Sequence, residues 1–544
     1  MKAPVAIVGS GPVGAALAHE LTRRGFEVDL YERGSAYPYP HRQPFEVRVL
    51  RRSPEPLYRT PAGVTGLSQS GDYPVPLTTE LDAVEGGSGV RWEAITLRQP
   101  PKEFALRTLY GYGADWPLSY DDLEPWYGRA ERLLAVSGTD ADNPFAPPRS
   151  TPYPLPHFEL SWDDRILQER LAGARIHLHS TPQARTRQPV QGRPACANFG
   201  ACGVCPIGAR YAPQHHLRAA LATGRLRVHL ESAVRRVLFD RSGRARGVGV
   251  RSVHGGPDRE QPAAAVVVAG GAIESARLLL LSAGGAHPDG PGNRSGHLGR
   301  NLVFHSLWIG RMRFREALYP GRFGGWTGQC QQFSDPPRRG RHGGVKLELS
   351  SRRAWATFEP VQVWEPPGRF LDRAASAEEL VRELEPGLRW RPVVFQAEAR
   401  AGPGKSVTLG AERDRFGDPL AHVHHELDDF DRETWRYCRE LLSRLRRGAG
   451  ARAAELAPLE RYYSGFHHMG TCRMARSEEE GVTDASGRIH GTSNLYVAGG
   501  ACFPGSGTVN PTLTMIALAL RTATILAERV AGDRRSGTGA APGR

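Results

Sequence analysis

The stretch VAIVGSGPVGAALAHELTRRGFEVDLYERG, residues 5–34, constrains the fold of this chain more than any other. Val5 to Val8 are a short apolar run, which predicts a buried strand. Gly9, Gly11 and Gly14 follow in the spacing G-x-G-x-x-G, and Ala15 to Arg24 carry apolar residues at helical spacing before Gly25 ends the helix. Val28 to Tyr31 predict the next strand, with Glu32 at its end. Gly9 permits a tight turn, Gly11 lets the backbone approach a pyrophosphate, and Gly14 lets helix and strand pack closely. The phosphates then meet the positive end of the helix dipole, and Glu32 accepts hydrogen bonds from a ribose diol. The spacing alone says little; strand, helix and acidic residue together predict a dinucleotide-binding βαβ unit.

Two further segments repeat the strand–glycine–helix order: AAAVVVAGGAIESARLLLLSAG near residue 270, and NLYVAGGACFPGSGTVNPTLTMIALALRTATILAERV near the C-terminus. They lie far apart, so the dinucleotide domain is read as assembled from discontinuous segments, with the motif-poor middle inserted. EGGSGVRW (85–92) is a second glycine-rich loop. Ser119 is an N-cap candidate for a helix from Asp121 to Ala135, and another helix is predicted from Asp428 to Arg447. RLRVHLESAVRRVLFDRSGRARGVGVRSV predicts alternating strands with a turn at Ser242 and Gly243. Residues 35–80 read as irregular, 139–160 as a proline-rich excursion, and the tail from Asp533 as disordered.

A chain of 544 residues has room for two to four domains. No run of 18 apolar residues appears, so no membrane span is predicted. The start lacks the layout of a secretion signal, which gives a cytoplasmic expectation. The formal charge of +14 invites a nucleic-acid reading. However, lysine occurs only at Lys2, Lys102, Lys346 and Lys405, and the arginines are scattered among acidic residues, so a nucleic-acid partner is not expected. Of seven cysteines, Cys196, Cys202 and Cys205 cluster as C-x5-C-x2-C, and a disulfide framework is not expected.

These segments, with WPLSYDDLEPWYGRAERLL, HLGRNL and HHMGTCRM (467–474), resemble the glucose–methanol–choline (GMC) oxidoreductase family over most of the chain. The resemblance implies an α/β architecture. A Rossmann-like FAD domain would use residues 1–50, 80–100, 195–300 and 465–535. A substrate domain with an antiparallel sheet would use 51–79, 101–194 and 301–464, leaving 536–544 as a disordered tail. It implies FAD contacts at Gly87, Ser88, Val234, Gly270, Gly500, Asn510, Pro511 and Thr512, beside the Gly9, Gly11, Gly14 and Glu32 already read. It also implies oxidation of an alcohol. The hydride goes to flavin N5, and the proton needs a neutral base with a pKa near the working pH, which suits histidine. Aligning HHMGT with the family's HPxGT makes that base His467, with Asn510 holding the alcohol oxygen. His468 falls where proline is usual and is read as a packing or supporting residue. A metal at the histidine pair is not expected, because adjacent side chains rarely aim at one ion, and Cys472 is read as inert.

Three departures from the family pattern matter. The position from which some members bind FAD covalently through histidine is Arg91 here, so FAD is expected to be non-covalent. The Asp that often follows LYVA is Gly499 here, as in pyranose oxidases, which tilts the substrate toward a sugar, glycoside, aminosugar or other polyol-like alcohol. The cysteine segment leaves three readings open: an iron–sulfur cluster on Cys196, Cys202 and Cys205, a zinc site completed by His215 or His216, or structural thiols. With a cluster, electrons would leave to a redox protein; without one, oxygen or a quinone is the acceptor. The alternatives weighed are a steroid or aliphatic alcohol substrate, a lyase-type member without net redox, and a non-catalytic electron-transfer subunit. An electron carrier, though, needs no base.

Overall fold

The computed structural model describes residues 3–42, 66–198, 202–318, 326–350, 376, 378 and 386–536. The βαβ unit forms as the pattern predicts, with strands Val5–Val8 and Val28–Tyr31 and helix Pro12–Arg23. Both strands sit in a five-stranded parallel sheet. Its order runs from Leu495–Val497 through Ala265–Val268, Val5–Val8 and Val28–Tyr31 to Leu226–His229. Ile7, Val28, Leu30, Val266 and Val267 are fully buried there. Each stabilises the sheet by about 1.5–3 kcal/mol relative to exposure. The central strand Val5–Val8 lies between one neighbour that follows it closely and one some 260 residues on. The crevice at its carboxyl end is therefore a topological switch point, where open α/β sheets bind ligands.

A six-stranded sheet is built separately from Ala453–Leu456, Ser306–Arg313, Trp390–Ala397, Val345–Ser350, Trp326–Cys330 and His179–Ser180, with neighbours antiparallel. The mixed α/β class is as read from the sequence. The predicted helices are present at Tyr120–Leu134 and Asp429–Gly448. Each starts with a reciprocal cap in which Ser119 or Asp428 accepts from the third helical N–H.

Two expectations are corrected. Within 35–80, Leu67–Gly71 is a strand, pairing in parallel with Pro419–His425. It is recruited by a partner 354 positions away, a contact that no local signal announces; residues 43–65 lie outside the described residues. The last helix, Thr512–Ser536, takes in Asp533 to Ser536, which the sequence pattern assigns to the disordered tail; 537–544 lie outside the described residues. Among the described residues no helix is long and apolar enough to cross a membrane.

Candidate active site

A cavity of about 710 Å³ opens at the switch point and extends beneath the antiparallel sheet. Its floor begins at Gly9, Ser10 and Gly11. Gly9 has φ +103°, and a Cβ there would lie 2.6 Å from Ala269 O, so only glycine fits. Gly11 caps helix Pro12–Arg23 without any side-chain hydrogen bond, and a Cβ on it would meet only Gly86 O, at 4.0 Å. The helix thus presents uncapped N–H groups and open space to the cavity, which is an anion cradle. Gly14 does not line it; a Cβ there would come within 1.9 Å of Gly9 O, so its role is packing. Glu32 lines the cavity, but its carboxylate is already partly engaged. It accepts from Ser10 N (3.1 Å), the Ser10 hydroxyl (2.7 Å) and Gly34 N (2.8 Å). Gly87, Ser88, Val234, Gly270, Gly500, Asn510, Pro511 and Thr512 all line the same cavity, as does His467.

The sheet forms the roof. Side chains alternate across a strand, and in register Leu307 and Ile309, Gln396 and Val394, then Glu348, with Trp326 from the next strand, turn into the cavity.

His467 reaches its place through backbone pairing. Val303 and Met469 exchange both backbone hydrogen bonds (3.0 and 2.8 Å), and Leu307 pairs with Tyr463. The Val303–Met469 pair puts residue 305 opposite residue 467, and the two extra residues on the 463–469 side are taken up where Gly465 and Phe466 both have positive φ. The His305 and His467 Nδ1 atoms are 2.9 Å apart, and His305 Nε2 is 3.0 Å from Gly507 O. These contacts decide the tautomers. A carbonyl can only accept, so His305 donates from Nε2 and its Nδ1 carries the lone pair. His467 must then donate from Nδ1, which leaves a lone pair on its Nε2. Nε2 has no protein partner among the described residues, and His467 faces the cavity. Burial, then the neighbouring His305 and the Lys346 ammonium, hold the His467 imidazole well below its ordinary value, which keeps the ring neutral but departs from the near-working-pH value expected of the base. Burial pulls His305 down to about 3, so both rings are neutral at ordinary pH.

Asn510 stands just before the helix Thr512–Ser536. Its loop is held by Gln99, which donates to Ser506 O (3.2 Å), by His305 on Gly507 O, and by Gln396 on Thr508 O (2.8 Å). Lys346 Nζ donates to Asn510 Oδ1 at 2.6 Å. His468 lines the same cavity, but its Nε2 is held 3.0 Å from Glu80 Oε2, and Glu80 also accepts from Ser464 and from Tyr73 (2.5 Å). His305, Lys346 and Glu80 were not singled out from the sequence. The alternation of GVKLELS could have shown Lys346 and Glu348 on one strand face; His305 had no signal at all.

Arg91 lies on the cavity wall, paired with Asp82 at 2.5 Å and 4.9 Å from the centre of the Phe466 ring. Gly499 has φ +100° and brings no carboxylate to the cavity. Cys472 is fully buried, and burial pushes its thiol up, which keeps it unreactive.

The iron–sulfur and zinc readings are corrected. Among the described residues no three His, Cys, Asp or Glu side chains gather to hold a metal ion. Cys196 accepts from Asn198 N (3.4 Å), while the Arg185 guanidinium lies 3.5 Å from Cys202 Sγ. His216 contacts the Tyr211 hydroxyl at 3.0 Å. The Cys196 and Cys202 thiols make separate contacts, and among the described residues the close spacing in sequence does not gather the cysteines into a metal site.

A buried cavity that runs from a phosphate cradle to a neutral imidazole with a free lone pair suits an enzyme that oxidises alcohols with a bound dinucleotide. The chain belongs to the GMC oxidoreductase family, which binds FAD. Residues 180–307 and 405–519 match GMC oxidoreductase, and residues 7–38 match an NAD(P)-binding Rossmann-like domain. It is 28% identical to the fructose dehydrogenase large subunit of Gluconobacter japonicus, over 96% of this chain and 97% of that one. It is 29% identical to the 6'''-hydroxyparomomycin C oxidase of Streptomyces lividus, over 97% and 92%. Its fold matches the crystal structure of pyridoxine 4-oxidase from Mesorbium loti with a TM-score of 0.65 at 18% identity, covering 97% and 99% of the two chains. The cradle at Gly11 and the continuous cavity fit an extended FAD.

Buried neutral histidines carry a pH cost. His305 and His425 are both held at about 3, chiefly by burial, and His467 is shifted the same way. A folded value below the unfolded 6.5 means that the unfolded chain takes protons first as pH falls. Stability is therefore full above 6.5 and is lost progressively from 6.5 down toward 3, by up to about 1.4 kcal/mol per unit for each such ring. The thermal midpoint is expected to be clearly lower at pH 5 than at pH 7.5. Equal midpoints would show that these rings are not buried neutral.

Proposed function

We propose that this protein oxidises a hydroxyl group of a sugar, glycoside, aminosugar or similar polyol to a carbonyl, with non-covalent FAD. The observation that carries the reading is the pairing, on one cavity, of a lone pair on His467 Nε2 with the amide of Asn510. In this reading His467 Nε2 takes the hydroxyl proton, and its Nδ1–H stays on His305. The Asn510 amide donates to the substrate oxygen and holds the carbinol C–H in line for reaction. FAD, when bound, accepts the hydride that leaves carbon. Gly9, Gly11 and Glu32 would hold its phosphates and ribose, and Gly87, Ser88, Val234, Gly270, Gly500, Pro511 and Thr512 the remaining length. Segments 1–50, 80–100, 195–300 and 465–535 would thus serve the cofactor, and 51–79, 101–194 and 301–464 the substrate.

Support for a polyol substrate comes from the roof, where Trp326 offers an aromatic face beside the polar Glu348 and Gln396. Relatives named for fructose and for an aminoglycoside point the same way. Support for non-covalent FAD comes from Arg91, a side chain that cannot form the histidyl bond and is already paired with Asp82.

The test is a purified sample that is yellow and releases all its flavin on acid precipitation. It is then mixed anaerobically with D-fructose, D-glucose, methyl glucoside, D-glucosamine, glycerol, 1-butanol and a sterol. Bleaching of the flavin by the sugars is the expected result. A colourless protein, or bleaching by butanol or sterol alone, would sink the reading; flavin left on the polypeptide would sink its non-covalent part. Reoxidation by oxygen, by a quinone or only by a redox protein then identifies the acceptor.

A further inference from the structure

Lys346 lies outside both matched GMC segments, on the strand Val345–Ser350. Its side chain is wholly buried, and its Nζ donates to Asn510 Oδ1 (2.6 Å), Glu348 Oε1 (2.5 Å) and Gln329 Oε1 (3.4 Å). Burial lowers the proton affinity of Lys346, the adjacent Glu348 carboxylate opposes that, and the protonated ammonium has three N–H donors and no acceptor. Three oxygens around it use every donor, in a compact arrangement that a flat guanidinium would not reproduce. The choice of residue is telling in this chain, where only four of the 71 basic residues are lysines.

The contact also decides which way Asn510 faces. Lys346 cannot accept a hydrogen bond, so the oxygen end of the amide must point to it. The Asn510 Nδ2 is left without a protein partner among the described residues, and Asn510 lines the cavity. An unheld asparagine could present either end. With its oxygen toward the substrate it would compete with His467 for the hydroxyl proton. With its nitrogen toward the substrate it donates to the oxygen while His467 takes that proton. We propose that Lys346 is a positioning residue that locks the Asn510 amide with its N–H groups toward the substrate oxygen and, through its charge, strengthens that donor as the oxygen loses its proton.

This rests on the assignment of Asn510 above. The ionisable groups that face Lys346 are Glu348, His179, His305 and His467. Its cation disfavours protonation of the three histidines. Removing it should therefore raise the value of His467 and move the acid limb of kcat/KM to higher pH.

The test is a double-mutant cycle of Lys346→Met and Asn510→Ala, read as the rate of flavin bleaching in the holoenzyme by the fastest sugar of the panel above. Because Lys346→Met orphans the Glu348 carboxylate, Lys346→Met/Glu348→Gln is run beside it, with flavin content and thermal midpoint recorded for all. The expected results are a roughly ten- to hundredfold slower rate with KM little changed, an acid limb moved upward, and almost no further loss when Lys346→Met is added to Asn510→Ala. If Asn510→Ala is severe while the Lys346 variants keep the full rate, or lose it additively with an unmoved acid limb, the Lys346 proposal is overturned. If Asn510→Ala itself bleaches at the full rate, it is the assignment of Asn510 that fails. Failure of both Lys346 variants to fold with flavin would make Lys346 a structural residue and overturn the proposal.

Discussion

His467→Ala is expected to keep its flavin and lose turnover by about 10²- to 10⁴-fold, the range of a positioned general base. The deletion removes the free Nε2 lone pair on the cavity, and no other imidazole replaces it: His305 is not among the residues that line the cavity, and His468 is held by Glu80. It also strips His305 Nδ1 of its donor. A buried acceptor left unpaired costs about 1–3 kcal/mol, so a modest fall in thermal midpoint should accompany the loss of activity. His468→Ala should do the reverse, weakening the Glu80 contacts more than turnover. Anaerobic flavin bleaching and thermal melts on both variants decide the matter. A fast His467→Ala beside a dead but stable His468→Ala would show that the roles are exchanged.

Gly11→Ala and Gly14→Ala should fail in different ways. Gly11 has φ −60° and ψ −174°, a conformation alanine adopts freely, and its new Cβ would meet only Gly86 O at 4.0 Å. The chain should fold, yet the methyl projects into the space proposed for the pyrophosphate. Flavin affinity should drop by about tenfold or more, roughly 1.4 kcal/mol per decade. At Gly14 the methyl would come within 1.9 Å of Gly9 O, a clash between backbone and backbone that no side chain can relieve. That variant should yield little folded protein at all. Flavin-to-protein ratio and circular dichroism separate the two outcomes. Full flavin content in Gly11→Ala would remove the phosphates from this turn.

Much of the molecule was legible because its signals are local. The apolar run Val5–Val8, the glycine spacing and Glu32 lie within one βαβ unit, and Ser119 and Asp428 mark helix starts through contacts three residues long. His467 was singled out by aligning HHMGT with the family's HPxGT, and it does line the cavity. The cysteine segment misled for a related reason: C-x5-C-x2-C reports distance along the chain, whereas a cluster needs convergence in space, and Cys196 and Cys202 are spent on separate contacts.

By itself, then, the sequence determined the α/β class and the glycine turn of the βαβ unit, and it singled out the two residues on which the chemistry is proposed to rest. Only the tertiary structure decided the states in which those residues stand. The tautomer of His467 depends on His305, 162 positions away, and the orientation of the Asn510 amide on Lys346, 164 positions away. Sequence patterns report secondary structure because its periods repeat every two to four residues. A ring's tautomer and an amide's facing are set by whichever donor or acceptor the packed fold brings within 3 Å, and that is decided by register between strands and loops distant in the chain.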